Sequence, residues 1–276
     1  MKTYLMPDPV RYRTMTTDEL RSNFLVESLF QKGQTVMCYL DLDRTIVGSA
    51  VPIKEPLTLP TADELRAAYF LERRELGILN IGARGAVNVD GKAYDLENLD
   101  CLYVGRGAKD VRFTSADAQK PAQFYLLSYP AHTTHPTALA KKAQAAAVPL
   151  GSQASLNKRT IYKYIHLEGI KSCQLVMGFT ELEAGSGWNT MPPHTHLRRS
   201  EVYLYFNLAE TSRVFHFMGE PQQTRHLVVA DKQLVISPSW SIHAGVGTSN
   251  YTFCWGMGGE NQAFDDMDAA PVISLR

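Results

Sequence analysis

Apolar residues along this chain fall into many short runs that read as β-strands. VMCYLDLDRTIVG, LYVGRGAKDVRF, KPAQFYLLSY, RTIYKYIH, EVYLYFNL, RVFHFMG and NYTFCWGM are rich in Val, Ile, Tyr, Phe and Thr, residues that suit a pleated, half-buried surface. Gly, Asn, Asp and Pro punctuate them at short intervals, as tight turns require. One early stretch follows a helical period instead. Leu20, Phe24, Leu25 and Leu29 recur at helical spacing, Thr16 or Thr17 can cap the start, and Asp18 and Glu19 favour the first turn. Many short strands with one short N-terminal helix predict an all-β sandwich or barrel fold.

The stretch from 131 to 157, AHTTHPTALAKKAQAAAVPLGSQASLN, has few large apolar residues. It reads as an interdomain connection with a short helical turn at the alanines. The expected halves are 1–140 and 150–276. A weak internal repeat supports two similar domains. With Glu75 set on Glu201, RRELGILNIG lies on RSEVYLYFNL, and CLYVGRGAKD (101–110) then lies on LVISPSWSIH (234–243).

Composition narrows the function classes. The chain has 276 residues, 45% hydrophobic and 20% charged, with zero formal net charge, a balance that fits a globular protein with a full core. Charge neutrality argues against a nucleic-acid partner, which would call for a basic stripe. A small anionic substrate needs only a few cations in a cleft. Cys38, Cys101, Cys173 and Cys254 are scattered without CxxC spacing, so they read as buried reduced thiols rather than a zinc knuckle. The first residues lack the apolar segment of a signal peptide, and no run approaches the ~18 apolar residues of a membrane span. The expected location is the cytoplasm.

The chemistry concentrates in MPPHTHLRRSEVYLYF. His194 and His196 are two residues apart, so an extended chain points both rings to one face. Glu201 follows at an odd spacing, so Leu197–Ser200 must bend if all three converge. The two prolines before His194 agree with an irregular entry. His243 arrives later, after the turn signal Ser237-Pro238-Ser239. Imidazoles with a carboxylate suit divalent ions such as Zn, Fe, Mn or Ni. An HxH pair alone is weak, since two histidines are commonly packed or solvated. Followed by Glu and then PxWxxH, it becomes a specific metal signal.

HTHLRRSE resembles the first cupin motif and PSWSIH the second. Across nearly the whole chain, FLVESLF, YFLERRELGILNIG, LYVGRGAKDV, PAHTTHPT, WNTMPPHTHLRRSEVYLYFN, PQQTRHLVV, ISPSWSIHAGVGT and WGMGGENQAFDDMD resemble the 5-keto-4-deoxyuronate isomerase family. That resemblance implies two cupin (jelly-roll) barrels in one chain. It implies one divalent metal per chain, zinc, held by His194, His196, Glu201 and His243. It also implies a homo-oligomer, a hexamer, that converts 5-dehydro-4-deoxy-D-glucuronate to 3-deoxy-D-glycero-2,5-hexodiulosonate in pectin and uronate catabolism. In the repeat, Ala68, Phe70 and Asp110 stand opposite the three histidines, so the N-terminal barrel is expected to be metal-free.

Substrate contacts are less defined. Arg198, Arg199, Arg225 and Lys163 are candidates for the uronate carboxylate, against solvated or subunit-contact roles. Trp188 and Trp240 suit either stacking on a sugar or core packing. Glu260, Asn261, Asp265 and Asp266 form a polar cluster that suits a cap, an interface or a catalytic acid or base. The catalytic base is not named by the sequence. Two other classes remain open: an iron or copper cupin dioxygenase, and a non-catalytic two-barrel sugar-binding protein.

Overall fold

The computed structural model describes residues 1–260, 262–263 and 266–276. Its contacts divide the chain into two compact units. The first comprises Met1–Tyr4, Leu29–Ala146 and Tyr164–Met177, the second Leu5–Ser28, Ala147–Lys163 and Gly178–Arg276. The expected halves place Leu5–Ser28 with the first. In the structure this segment packs within the second, where Tyr12 donates its hydroxyl to the Gln223 carbonyl and Leu25–Val26 pairs with Val235 and Leu234.

The first unit contains a four-stranded sheet, ordered Leu57–Thr58, Val111–Ser115, Gly85–Val89, Lys92–Leu96. Its larger sheet has seven strands, ordered Lys2–Tyr4, Thr35–Leu40, Ile46–Ala50, Phe124–Pro130, Arg74–Asn80, Cys101–Val104, Ala138–Ala140. Gly85–Val89 alternates buried and half-buried positions, as a strand with one face on a core must. Ile46, Leu76, Ile78, Leu102, Phe113 and Phe124 meet in that core. The alanine-rich stretch does more than connect. Ala138–Ala140 adds an edge strand on Cys101–Val104, and only Lys142–Gln144 makes a helical turn, a 3-10 one. An edge strand is held by its backbone, so small side chains suffice.

A second pair of sheets repeats the plan. Seven strands run in the order Ala146–Leu150, Arg159–Ile165, Val176–Leu182, Thr252–Gly259, Arg199–Phe206, Leu234–Ser237, Leu25–Val26, and four in the order Trp188–Asn189, Ala244–Gly247, Val214–Glu220, Gln223–Val229. Arg199–Phe206 is buried at every position, consistent with its central place between Thr252–Gly259 and Leu234–Ser237.

The helix spans Thr17–Phe24. Thr16 caps it in a capping box with Glu19, which satisfies donors at both N-cap and N3. The apolar spacing continues to Leu29, but the helix stops at Phe24. Leu25 turns extended because it and Val26 complete the edge of the large sheet. The repeat also needs one adjustment. Ile78 pairs with Leu102, and Leu204 pairs with Leu234, so Leu102, not Cys101, is the counterpart of Leu234. A one-residue shift reverses which face each side chain occupies, and Asp110 no longer falls opposite His243. Its carboxylate instead pairs with Arg112 at 2.9 Å.

Candidate metal centre

Three separate segments of the second unit deliver the four metal-ligand candidates. His194–Thr195 is a two-residue strand paired with Asp268–Ala269. The chain breaks its extended path after His196 and re-enters a strand at Arg199, the bend that the odd spacing to Glu201 requires. Glu201 lies on Arg199–Phe206 between Ser237 and Met257. His243 immediately precedes Ala244–Gly247.

These side chains converge. One ligand atom from each of His194, His196, Glu201 and His243 lies within 4.8 Å of every other. His196 Nε2 is 3.0 Å and His243 Nε2 3.1 Å from Glu201 Oε2, and His243 Nε2 is 2.9 Å from His194 Nε2. The outer ring nitrogens are held too. His196 Nδ1 meets the Arg199 carbonyl at 3.0 Å, and His243 Nδ1 meets Ser237 Oγ at 3.3 Å. A proton at Nδ1 donated to such a partner leaves Nε2 as the free lone pair, the arrangement that orients metal-ligating histidines.

Electrostatics favour neutral rings at two of the three positions. Burial pushes His194 down to about 4, and burial followed by the neighbouring histidines pushes His243 well below its ordinary value. His196 moves upward: burial opposes its charge, but the hydrogen bond and charge of Glu201 outweigh that. His243 Nε2 lies 2.9 Å from His194 Nε2 and 3.1 Å from Glu201 Oε2, and a cation among these atoms would be shared by all three. Bonds of about 2.0–2.2 Å would separate tetrahedral ligand atoms by roughly 3.3 Å, close to the 2.9–3.1 Å of three pairs and within the 4.8 Å spread of the whole cluster. Three nitrogens and one carboxylate oxygen fit a borderline divalent ion.

His194, His196 and Glu201 of the cluster, with His243 behind them, line a cavity of about 270 Å³. Its walls are mostly apolar, with Ile161, Phe253, Trp255, Met257 and Met267 among them, and Arg159, Arg199, Thr190 and Tyr203 supply polar groups. Tyr203 is buried and lines the cavity beside Thr190 and Glu201. Burial, then the charge of Glu201, raises its pKa well above the ordinary value, so it keeps its proton at neutral pH and can act as a hydrogen-bond donor. Glu201 is the sole carboxylate among the described residues that line the cavity.

Of the six substrate-contact candidates, only Arg199 lines this cavity. Its guanidinium is engaged by Asp266 at 2.7 Å and by the Ala263 carbonyl. Arg198 is exposed. Arg225 donates to the carbonyls of Tyr12, Arg13 and Met15 and so fastens the N-terminal segment. Lys163 is half-buried outside the lining. Trp188 stacks on Phe217 with centroids 5.8 Å apart, and Trp240 packs on Tyr12 at 4.8 Å and on Phe24 at 6.4 Å. In the polar cluster, Glu260 is exposed and Asp266 binds Arg199. Asn261 and Asp265 lie outside the described residues. The sequence reading missed Arg159, Thr190 and Tyr203. Strand parity could have found Tyr203, which is two residues beyond Glu201 on the same strand and therefore on the same face.

In the first unit, Glu75 takes the place of Glu201 but not its surroundings. Its carboxylate accepts the Tyr103 hydroxyl at 2.8 Å and the backbone N–H groups of Cys173, Gln174 and Leu175 at 2.7, 2.9 and 2.9 Å.

Fold and site together define a cupin-like, all-β protein with a four-residue cluster able to hold a metal ion. Residues 24–272 match the KduI/IolB family model, and the chain belongs to that family. It is 55% identical, over the full length of both chains, to the 4-deoxy-L-threo-5-hexosulose-uronate ketol-isomerase of Halalkalibacterium halodurans. It is 54% identical, again over the full length of both, to the protein of the same name from Opitutus terrae. Among solved structures, an IolB-like protein from Salmonella typhimurium matches with a TM-score of 0.70 at 13% identity, covering 87% of this chain and 94% of that one. That likeness concerns the fold alone.

Proposed function

We propose that this chain is a metal-dependent aldose–ketose isomerase that converts 5-dehydro-4-deoxy-D-glucuronate to 3-deoxy-D-glycero-2,5-hexodiulosonate in uronate catabolism. The observation that carries the reading is the convergence of His194, His196, Glu201 and His243, the first three of which line a largely apolar cavity. Full-length relatives named as the uronate ketol-isomerase supply the substrate. Each unit is read as a cupin barrel, the four residues as the ligands of one divalent ion, zinc, and the first unit as metal-free. The working form is read as a homo-oligomer, a hexamer, in the cytoplasm. The four free cysteines agree with that compartment.

A divalent ion held by His194, His196, Glu201 and His243 would supply Lewis acidity toward a carbonyl and its neighbouring hydroxyl. The chain's own residues set the conditions. Arg199 O and Ser237 Oγ fix the His196 and His243 rings. The apolar walls limit water around the reacting carbons and strengthen local electrostatics. The Tyr203 phenol, kept protonated, can donate a hydrogen bond to a substrate oxygen beside Glu201.

The test is turnover of 5-dehydro-4-deoxy-D-glucuronate under anaerobic conditions by protein stripped with chelator and then restored with zinc. Product formation only after metal restoration, without oxygen, is expected. A metal-restored protein that fails to turn over this substrate would sink the reading. An absolute requirement for oxygen would point to a dioxygenase.

A further inference from the structure

The cavity holds two arginines, and their circumstances differ. Arg199 is buried, and its guanidinium already meets the Asp266 carboxylate and the Ala263 carbonyl. Arg159 enters from the strand Arg159–Ile165, shares a strand face with Ile161, and is half-buried. Its Nη1 donates to the Asn157 carbonyl at 2.8 Å. Among the described residues no carboxylate lies within ion-pair distance of it. Burial lowers its pKa, and only the nearby phenols of Tyr251 and Tyr203 act in the other direction. A partly desolvated guanidinium without a counter-charge is costly, and its planar fork matches a carboxylate in bidentate fashion.

We infer that Arg159 receives the carboxylate of the substrate, a monoanionic sugar acid, while the opposite end of the molecule meets the histidine–glutamate cluster. The assignment rests on the isomerase reading for the identity of the acid. The demand for an anion at Arg159 does not. Arg159 is thus a specificity-determining residue, and Arg199 is the scaffold that fixes the segment around Asp266.

The test measures calorimetric binding of D-glucuronate and of its neutral isostere D-glucuronamide to zinc-loaded wild-type protein, Arg159→Gln and Arg159→Lys. The wild type is expected to prefer the acid by about tenfold or more, Arg159→Gln to lose that preference, and Arg159→Lys to keep part of it. No preference in the wild type, or a preference undiminished in Arg159→Gln, overturns the assignment. If Arg159→Gln does not fold by circular dichroism, Arg159→Lys decides. A weaker preference supports the assignment, and an unchanged preference or equal losses on acid and amide refute it. Turnover of the dehydrouronate is followed separately. Its absence in a wild type that prefers the acid removes the isomerase reading and leaves Arg159 as the anion site.

Discussion

Replacing Glu75 with glutamine exchanges one carboxylate oxygen for an NH2 group at nearly constant volume. In the wild-type chain Oε1 accepts from the backbone of Gln174 and Leu175, and Oε2 accepts from the backbone of Cys173 and from the Tyr103 hydroxyl. Burial, and then the charge of Glu75, keep that phenol protonated. Whichever way the new amide turns, its NH2 faces two groups that donate. The better orientation places it at Oε2, where the Tyr103 hydroxyl can rotate to accept and one backbone N–H is stranded. A buried donor left unmade costs about 1–3 kcal/mol, and bonds to a charged acceptor exceed neutral ones by about 1 kcal/mol. Against this stands the relief of burying one fewer charge, but four donors already compensate that charge.

The net loss is therefore about 2–5 kcal/mol. At about 2–4 °C per kcal/mol for a chain of this size, the melting transition should fall by roughly 4–20 °C. Scanning calorimetry on metal-loaded protein reads this, with transitions resolved separately, because two units need not melt as one. Metal analysis on the same samples should give about one ion per chain in both proteins, since the ligand candidates all lie in the second unit. A melting point within about 2 °C of the wild type, or loss of metal in Glu75→Gln, would refute the structural role assigned to this carboxylate.

Two further substitutions separate ligands from scaffold. His243→Ala removes one of the four candidate ligands and should lower metal affinity more than about 100-fold, beyond what losing an outer hydrogen bond does, while circular dichroism still reports a β fold. Unchanged metal content would show that His243 is not a ligand. Arg225→Ala removes hydrogen bonds to three carbonyls of the N-terminal segment and should destabilise the chain by about 1.5–3 kcal/mol with KM unchanged within about twofold. A raised KM at unchanged stability would return Arg225 to the substrate.

What could be read from the sequence follows from how local each signal is. HxH, the nearby Glu and PxWxxH are short patterns whose chemistry restricts the residue types, and the cluster in the structure uses those four residues. The break between His196 and Arg199 was legible because strand parity demanded it. Arg225 and Trp240 were not legible as scaffold, because each faces a segment some 200 residues away: Tyr12 lies beneath Trp240, and Met15 accepts from Arg225. Only tertiary packing reveals such a partner. The same holds for the helix end at Phe24, where pairing with a distant strand overrode an apolar spacing that continued to Leu29.

The two carboxylates Glu75 and Glu201 show how one strand position supports opposite chemistries. Both sit at the start of a fully buried central strand, where a carboxylate must find partners or neutralise. Glu201 finds ring nitrogens, supplied by His196, just past the short strand that follows two prolines, and by His243, the residue before Ala244–Gly247. Such partners carry lone pairs when neutral, so the group as a whole calls for a cation. Glu75 finds N–H and O–H donors, supplied by Cys173–Leu175 and Tyr103, so its group is complete without one. The segment that crosses the carboxylate, more than the carboxylate itself, decides between the two. Histidines placed at Ala68 and Phe70 would therefore approach oxygens already saturated by four donors. A metal would have to displace two donors from whichever oxygen it bound, the backbone N–H groups of Gln174 and Leu175 at Oε1 or Cys173 N–H and the Tyr103 hydroxyl at Oε2.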